Sequence, residues 1–232
     1  MSRIESDALV VRTVEVGESD VIATLVTEQA GKVSAIVRGA RRGSKRVSGA
    51  LEPVHTVAVM LEDKGAELAT LKESRIVVLR PGVVGSLEAL DAAGVALRWV
   101  RHLFPPRTPE PEGWRALVEL LDVLDAGGSA PRRELARAGL ALLAAVGYAL
   151  DLERCVVCGR ECPPTKAACV DPARGGLVCR ACGGASTVLL PETREAARAL
   201  AEGRTAEVTG EQGEAILRIV DRAMAAHAGF ER

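Results

Sequence analysis

Four cysteines form two short motifs whose spacing is typical of a metal site. Cys155 and Cys158 belong to one C-x-x-C-G sequence, and Cys179 and Cys182 belong to a second, with 20 residues between Cys158 and Cys179. Two residues between paired cysteines let both sulfurs face one ion, and the glycine that follows can adopt a left-handed conformation that aims backbone N–H groups at the thiolates. Two such motifs complete a tetrahedral four-sulfur shell. We therefore predict one structural Zn²⁺.

Other interpretations of the cysteines stay open at the level of sequence. Iron in a rubredoxin-like site uses the same four sulfurs, and spacing alone does not separate it from zinc. A thioredoxin-type redox role needs one motif in a βαβ setting, which the sequence does not show. Four protein ligands leave no open position for water, so the metal would be structural rather than catalytic. Cys162 and Cys169 do not fit the spacing; we expect them to be spare thiols, although either could replace a ligand.

The charge of the chain is unevenly distributed. The formal net charge is -1, but residues 31–50, here called the basic segment, contain six cations and no acid. These cations are Lys32, Arg38, Arg41, Arg42, Lys45 and Arg46. Of the 30 basic residues in the chain, only 24 remain elsewhere, against 31 acidic ones. We predict that the basic segment binds a nucleic-acid phosphate backbone; a solvated surface loop is the alternative.

The N-terminal part of the chain is predicted to consist of strands, because short runs rich in Val and Ile alternate with turn residues. The predicted strands cover residues 8–16, 21–27, 32–37, 53–61, 66–71 and 75–79. About six short strands in about 80 residues favour a small closed barrel, most often an OB-fold, with an SH3-like barrel as the alternative. No aromatic residue lies in the first 98 residues, so a binding surface there cannot rely on base stacking.

From Pro81 onward, apolar residues recur at helical spacing. Predicted helices cover residues 87–103, 112–126, 131–148, 191–202 and 209–228, and Thr209 and Gln212 have the spacing of a capping box. We predict an α+β multidomain protein with four parts. They are an N-terminal OB-fold β-barrel (1–80), a helical bundle domain (81–150), an inserted zinc-finger module with four cysteine ligands (151–186) and C-terminal helices packing on the helical domain (187–232).

Several classes of protein find no support in the sequence. No apolar run approaches the roughly 20 residues that cross a bilayer, and the N-terminus lacks a secretory pattern, so we expect a cytoplasmic protein. Phosphate-binding loops, dinucleotide-binding turns, zinc-protease pairs and nucleophile elbows are missing. His55, His102 and His227 are scattered over a predicted strand and two helices. We therefore expect a protein that is not an enzyme.

Several strings of residues resemble the bacterial DNA repair and recombination mediator family RecO. They are 8–13 (ALVVRT), 17–20 (GESD), 31–42 (GKVSAIVRGARR), 49–53 (GALEP), 147–159 (GYALDLERCVVCG) and 175–179 (GGLVC). The last two correspond to that family's entry into its zinc module and to its second cysteine motif. These strings lie in the family's order over about residues 8–183, and the tail is less distinctive.

The resemblance implies binding to single- and double-stranded DNA, annealing of complementary strands and association with the nucleoid. It also implies that the protein acts with RecR to load RecA onto DNA coated by single-stranded DNA-binding protein, without enzymatic activity of its own. DNA contacts carry over most firmly to Arg38, Arg41 and Arg42, which lie within the matching string. An RNA- or DNA-binding regulatory zinc protein with an OB-like barrel is the alternative function.

A weaker prediction concerns a partner of the helical domain. Arg132, Arg133 and Arg137 lie near the start of a helix whose other positions are mostly apolar. Cations beside a groove could receive an acidic peptide that ends in an aromatic residue, such as the tail of single-stranded DNA-binding protein. A solvated helix start is the alternative interpretation.

Overall fold

Short runs of Val, Ile and Ala form five strands in the computed structural model, which describes residues 2–40 and 51–228. They are β1 (Ser2–Val16), β2 (Asp20–Thr27), β3 (Gly31–Val37), β4 (Thr56–Asp63) and β5 (Ala69–Val78). They close into a barrel in the order β1-β2-β3-β5-β4. Neighbouring strands are antiparallel except β3 and β5, which pair in parallel at Ala35–Ala69 and Ile36–Thr70. The barrel is the predicted OB-fold, and the SH3-like alternative is excluded.

Small and β-branched side chains fill the barrel because alternate residues of each strand point inward. The pattern is most regular in β3, where every second residue is buried. The buried set comprises Ala8, Val10, Val21, Ala23, Leu25, Val33, Ala35, Val37, Val57, Val59, Leu61, Ala69 and Leu71. None of these side chains is aromatic.

Two strand predictions differ from the structure. The predicted strands 66–71 and 75–79 form the single strand β5, whose pairing with β4 is interrupted by register shifts. β1 begins at Ser2 rather than Ala8, and its first half pairs with β4 while its second half pairs with β2. The extra residues are mostly polar and exposed, so they lack the local pattern of a strand. They are extended because pairing with β4 closes the barrel.

Six α-helices, short 3-10 helices at Pro172–Arg174 and Arg180–Cys182, and a small sheet complete the described structure. The helices are α1 (Pro81–Gly85), α2 (Leu87–Leu103), α3 (Pro111–Ala126), α4 (Pro131–Ala145), α5 (Pro191–Ala201) and α6 (Gly210–Ala228). The second sheet consists of β6 (Asp151–Cys155), β7 (Ala168–Asp171), β8 (Gly176–Leu177) and β9 (Thr187–Leu189), in the order β6-β8-β7-β9. The mixed α+β class is confirmed. Over residues 2–40 and 51–228, no helix is both long and apolar enough to cross a membrane.

The chain divides into two units, Met1–Ala126 and Gly127–Arg232. The barrel and α1–α3 belong to the first unit, and α4, the second sheet, α5 and α6 belong to the second. The helices predicted as one domain over residues 81–150 are thus shared between the two units. The predicted capping box precedes α6: the Thr209 N–H donates to Gln212 Oε1 at 2.9 Å, and the Gln212 N–H donates to Thr209 Oγ1 at 3.3 Å.

A buried arginine joins the barrel to the helices within the first unit. Arg80 is 1% exposed, and its Nη1 donates to the Val54 carbonyl oxygen at 2.8 Å and to Thr56 Oγ1 at 2.9 Å. Its Nε donates to Asp122 Oδ1 on α3 at 2.9 Å, and its backbone N–H donates to His55 Nδ1 at 3.2 Å. One planar side chain therefore satisfies polar groups on both sides of this junction.

Gly31 begins β3 where the segment after α2 crosses the barrel closely. Its φ is +67°, and an added Cβ would overlap the backbone of Thr108. The Arg107 N–H donates to the Lys32 carbonyl oxygen at 2.9 Å, which holds the two segments together. Only glycine satisfies both the left-handed backbone and this close approach.

Replacing Gly31 by Ala should therefore lower the free energy of unfolding of the first unit by about 3 to 5 kcal/mol, from backbone strain and overpacking together. Denaturant unfolding followed by tryptophan fluorescence measures this, because Trp99 and Trp114 both lie in the first unit. Gly17→Ala is the matched control: Gly17 has φ +60° but no atom within 4 Å of an added Cβ. It should cost about 1 to 2 kcal/mol. Equal effects of the two changes would contradict the close approach.

Candidate metal centre and nucleic-acid interface

The second sheet brings the two cysteine motifs to one place. β6 and β8 run parallel, with Cys155 paired to Leu177, so the chain leaves both strands at the same edge of the sheet. Cys155 ends β6, and Cys179 follows β8 by two residues. Gly159 and Gly183, which follow the two motifs, have φ of +71° and +102°. The predicted left-handed glycine is thus found in both turns. The chain reverses direction at each of them, as a zinc-binding turn requires.

The sulfurs of Cys155, Cys158, Cys179 and Cys182 all lie within 4.8 Å of one another. The separation of Cys158 Sγ and Cys179 Sγ is 3.8 Å. Four sulfurs arranged tetrahedrally around one ion at about 2.3 Å are separated by about 3.8 Å from each other, so this donor set fits a Zn²⁺ or iron ion. The four predicted ligands form the cluster, and neither Cys162 nor Cys169 belongs to it.

Local hydrogen bonds distribute the charge within this cluster unevenly. The Cys179 N–H lies 3.3 Å from Cys155 Sγ. Backbone N–H groups of Cys179, Cys158 and Val157 lower the pKa of Cys155 to about 6. Interactions with Cys179 and Cys158, together with burial, raise the pKa of Cys182 to about 12. Four thiolates at this separation repel one another, and a divalent cation between them removes that repulsion.

Cys162 has a contact that the sequence did not indicate. Arg194 on α5 is buried, and its Nη1 donates to Cys162 Sγ at 2.6 Å. Its Nη2 donates to the Pro163 carbonyl oxygen at 2.7 Å. Cys162 is therefore not a spare thiol, because it ties the loop after the first cysteine motif to α5.

Two cations of the basic segment, Lys32 and Arg38, fall in the described part of the chain. Lys32 is half-buried, and its Nζ donates to the Arg101 carbonyl oxygen at 2.6 Å. Burial, and secondly the nearby Arg101 side chain, lower the pKa of Lys32. Arg38 follows β3 and is exposed. Predicted phosphate contacts outside the described residues are Arg41, Arg42, Lys45 and Arg46.

Further cations on β1 and α2 belong with Lys32, although they are distant from it in sequence. We call Arg12, Lys32, Arg98, Arg101 and His102 the α2 basic cluster. α2 packs against β1, which carries Arg12. Burial lowers the pKa of His102, and the positive charges of Arg101, Lys32, Arg12 and Arg98, in that order, lower it further.

Two arginines of the α2 basic cluster have no ion pair with an acid of the described residues. Arg12 and Arg98 are exposed, and within residues 2–40 and 51–228 neither forms an ion pair with a carboxylate. Arg101 Nη2 lies 2.9 Å from His102 Nε2. A surface with several cations and no bound acid attracts phosphate groups.

The three arginines at the start of α4 contact carboxylates of the same chain. Arg132 Nη2 donates to Glu214 Oε2 at 2.8 Å. Arg133 and Arg137 both donate to Glu134, at 2.6 Å and 3.2 Å, and Glu134 is buried. Docking of an acidic peptide here stays a prediction. Such a peptide would compete with Glu134 and Glu214 for these guanidinium groups.

Comparison with known proteins gives the same result for both parts of the chain. Residues 1–80 match the family model "Recombination protein O N terminal", and residues 85–232 match "Recombination protein O C terminal". A DNA repair protein RecO of Geobacter sulfurreducens is 36% identical over 235 residues, covering 98% of this chain and 93% of the relative. Those of Anaeromyxobacter sp. (strain Fw109-5) and Rubrobacter xylanophilus are 35% and 33% identical, covering 87% and 98% of this chain and 80% and 93% of the relatives.

Proposed function

The chain belongs to the RecO family of DNA repair and recombination proteins, and from this we propose that it binds single- and double-stranded DNA and anneals complementary strands. We further propose that it acts with RecR to load RecA onto DNA coated by single-stranded DNA-binding protein. In this proposal the protein acts by binding and bringing strands together, without catalysing a covalent step.

The α2 basic cluster is the observation that carries the proposed DNA binding. It lies on the OB-fold unit and is built from β1, β3 and α2. The basic segment includes β3 itself, so Lys32 belongs to both sets of cations. We propose that these cations neutralise phosphates along one DNA strand, with little preference for sequence.

The composition of the barrel supports annealing in particular. OB-folds that hold single strands usually stack bases on aromatic side chains, which contributes about 1 to 3 kcal/mol per base. The first 98 residues of this chain contain no aromatic residue. Bases bound only through their phosphates stay free to pair with an incoming complementary strand. An annealing factor requires this.

The four clustered cysteines are proposed to hold one structural Zn²⁺. The ion would supply folding energy to a module whose strands are two to five residues long. Since all four positions are filled by protein sulfur, no position remains for a reacting water. Iron is the competing ion, and elemental analysis of the purified protein distinguishes the two.

Cations of the α2 basic cluster and of the basic segment should each contribute about 0.7 to the slope of log affinity against log salt for single-stranded DNA. Arg12→Gln/Arg98→Gln and Arg41→Ala/Arg42→Ala should therefore each make that slope shallower by about 1.4. Both variants should weaken binding to all sequences alike and slow annealing in parallel. Fluorescence anisotropy with labelled oligonucleotides at several salt concentrations measures the slopes.

Arg115→Gln/Arg204→Gln is the control for the loss of two positive charges. Both arginines are exposed and already paired with acids. Arg115 pairs with Glu112 on α3, and Arg204, which follows α5, pairs with Glu195 and Glu202. Their loss should leave the slope unchanged. If both test variants bound and annealed like the wild type, the cations would be only a solvated surface.

The loading function is tested by adding the proposed partners. RecA filament formation on DNA coated by single-stranded DNA-binding protein should require both this protein and RecR. A regulatory nucleic-acid-binding protein would instead fail to load RecA. A preference for RNA over single-stranded DNA at matched salt would favour that alternative.

A further inference from the structure

A cleft of about 490 Å³ lies beside the cysteine cluster in the second unit. We call it the cysteine-module cleft. Three cations line it, namely Arg160, Lys166 and Arg180. Leu177, Val178 and the exposed Val188 contribute an apolar wall. The cleft therefore combines an apolar surface with several cations, a combination that suits a nucleotide unit with its phosphates.

The cations of the cleft are not neutralised by nearby acids. Arg160, Lys166 and Arg180 are exposed, and none forms an ion pair in the part of the chain that the structure describes. Glu161 also lines the cleft, but its carboxylate pairs with Arg154 at 3.0 Å. No carboxylate of the described residues therefore pairs with the three cations of the cleft, although Cys155 and Cys179, which would be thiolates with a metal bound, also line it.

The cysteine motifs hold two of these cations in place. Arg180 lies between the ligands Cys179 and Cys182. The Arg160 carbonyl oxygen accepts a hydrogen bond from the Cys155 N–H at 2.9 Å. Their backbone positions are therefore fixed by the same turns that present the sulfurs, which reduces the entropy lost when a ligand binds.

We propose that the cysteine-module cleft is a second phosphate-binding site for single-stranded DNA, separate from the cations of the OB-fold unit. This inference rests on the proposed DNA-binding function. The three cations bind phosphodiester groups, and the apolar wall contacts the sugar or base of the nucleotide between them. A metal bound by the four cysteines would support this binding indirectly, because it would hold the turns that carry Arg160 and Arg180.

The test is the triple variant Arg160→Gln/Lys166→Gln/Arg180→Gln in the full chain, binding an oligothymidylate of about 20 nucleotides. Three lost phosphate contacts should make the slope of log affinity against log salt shallower by about 2. The matched control is Arg3→Gln/Arg115→Gln/Arg204→Gln. It removes the same charge from exposed arginines that already pair with acids, and it should keep the wild-type slope.

Two further variants separate charge from folding. Lys166→Gln lies outside both cysteine motifs, so it should keep its metal and still lose about 0.7 of the slope. Arg160→Lys/Arg180→Lys keeps the charges and should keep the slope. Loss of slope in this lysine variant would overturn the proposal, because charge would then not be the cause.

Two outcomes with the triple variant would also overturn the proposal. One is a wild-type slope together with wild-type retention of the metal. The other is a wild-type slope with faster loss of metal to a chelator, which would show that the cations only balance the negative metal centre. In either case, the proposed function would stay intact if the wild type bound DNA and Arg12→Gln/Arg98→Gln bound it more weakly. Absence of DNA binding by the wild type would instead contradict the proposed function itself.

Discussion

Cys155→Ser should abolish stoichiometric metal binding and unfold residues 151–189, while the OB-fold barrel stays folded. Metal ligation contributes about 10 to 16 kcal/mol in small zinc modules. The strands of this module are too short to replace that contribution by burial. The metal content measured by elemental analysis should fall from about one ion per chain to well below one. Hydrogen exchange should show lost protection over the module.

Tryptophan fluorescence provides an internal control for this experiment. Trp99 and Trp114 are the only tryptophans of the chain, and both lie in the first unit. Their unfolding transition should not change in Cys155→Ser. Cys169→Ser is the matched variant, because Cys169 lies in the same sheet but outside the metal cluster, and it should keep its metal. A metal-loaded, protected module in Cys155→Ser would contradict the four-sulfur assignment.

Arg80→Met should destabilise the first unit by about 2 to 4 kcal/mol. Methionine keeps an unbranched apolar chain but leaves the Val54 carbonyl and the Thr56 hydroxyl buried without their donor. Each such unsatisfied group costs about 1 to 3 kcal/mol. Asp122 contributes little to this loss, because its side chain is 56% exposed and water can replace the guanidinium. Denaturant unfolding followed by tryptophan fluorescence measures the change.

Arg115→Met separates this effect from the loss of any arginine. Arg115 forms an exposed pair with Glu112 on the same helix, and such pairs contribute about 0 to 1 kcal/mol. Arg80→Lys should fall between the two variants, since an ammonium reaches fewer of the acceptors than the planar fork. If Arg80→Met were as stable as Arg115→Met, the buried guanidinium would not hold the junction together.

The clustering of the four cysteines could be predicted because the sequence pattern that produces it is local. Each pair of ligands lies within one turn, and the glycine that the turn needs follows directly. The role of Cys162 could not be predicted in this way. Its contact with Arg194 joins residues 32 positions apart, and it exists only once α5 packs beside the loop.

The cations of the proposed nucleic-acid interface could be recognised only where they are neighbours in sequence. The basic segment is such a run, whereas the α2 basic cluster combines Arg12 of β1 with Arg98 and Arg101 of α2. These residues meet because α2 packs against the barrel. The three-residue spacing of Arg98 and Arg101 indicates a shared helix face, but not what that face adjoins.

The same limit applies to the elements themselves. The helices α2 to α6 followed from periodicity, whereas the five-residue helix α1 was not predicted. The capping box before α6 was confirmed by its two hydrogen bonds. The first residues of β1 carry no such pattern, since closure of the barrel extends them. The burial of Glu134 was also missed, because the sequence does not show which face of α4 is covered. Its carboxylate pairs with the adjacent Arg133 and with Arg137 one turn further along the helix.

The parallel contact between β3 and β5 has a consequence for the order of folding. β3 is bonded to β2 along its whole length but to β5 only at Ala35–Ala69 and Ile36–Thr70. The β1–β2 and β2–β3 hairpins close over short turns, whereas the parallel contact must join distant parts of the chain at a greater cost in loop entropy. Because this contact joins only two residues of each strand, whereas the β1–β4 contact joins eight, we expect it to be the first part of the barrel to open. Because β3 carries Lys32 and ends just before Arg38, its opening would free the part of the barrel that is expected to meet DNA.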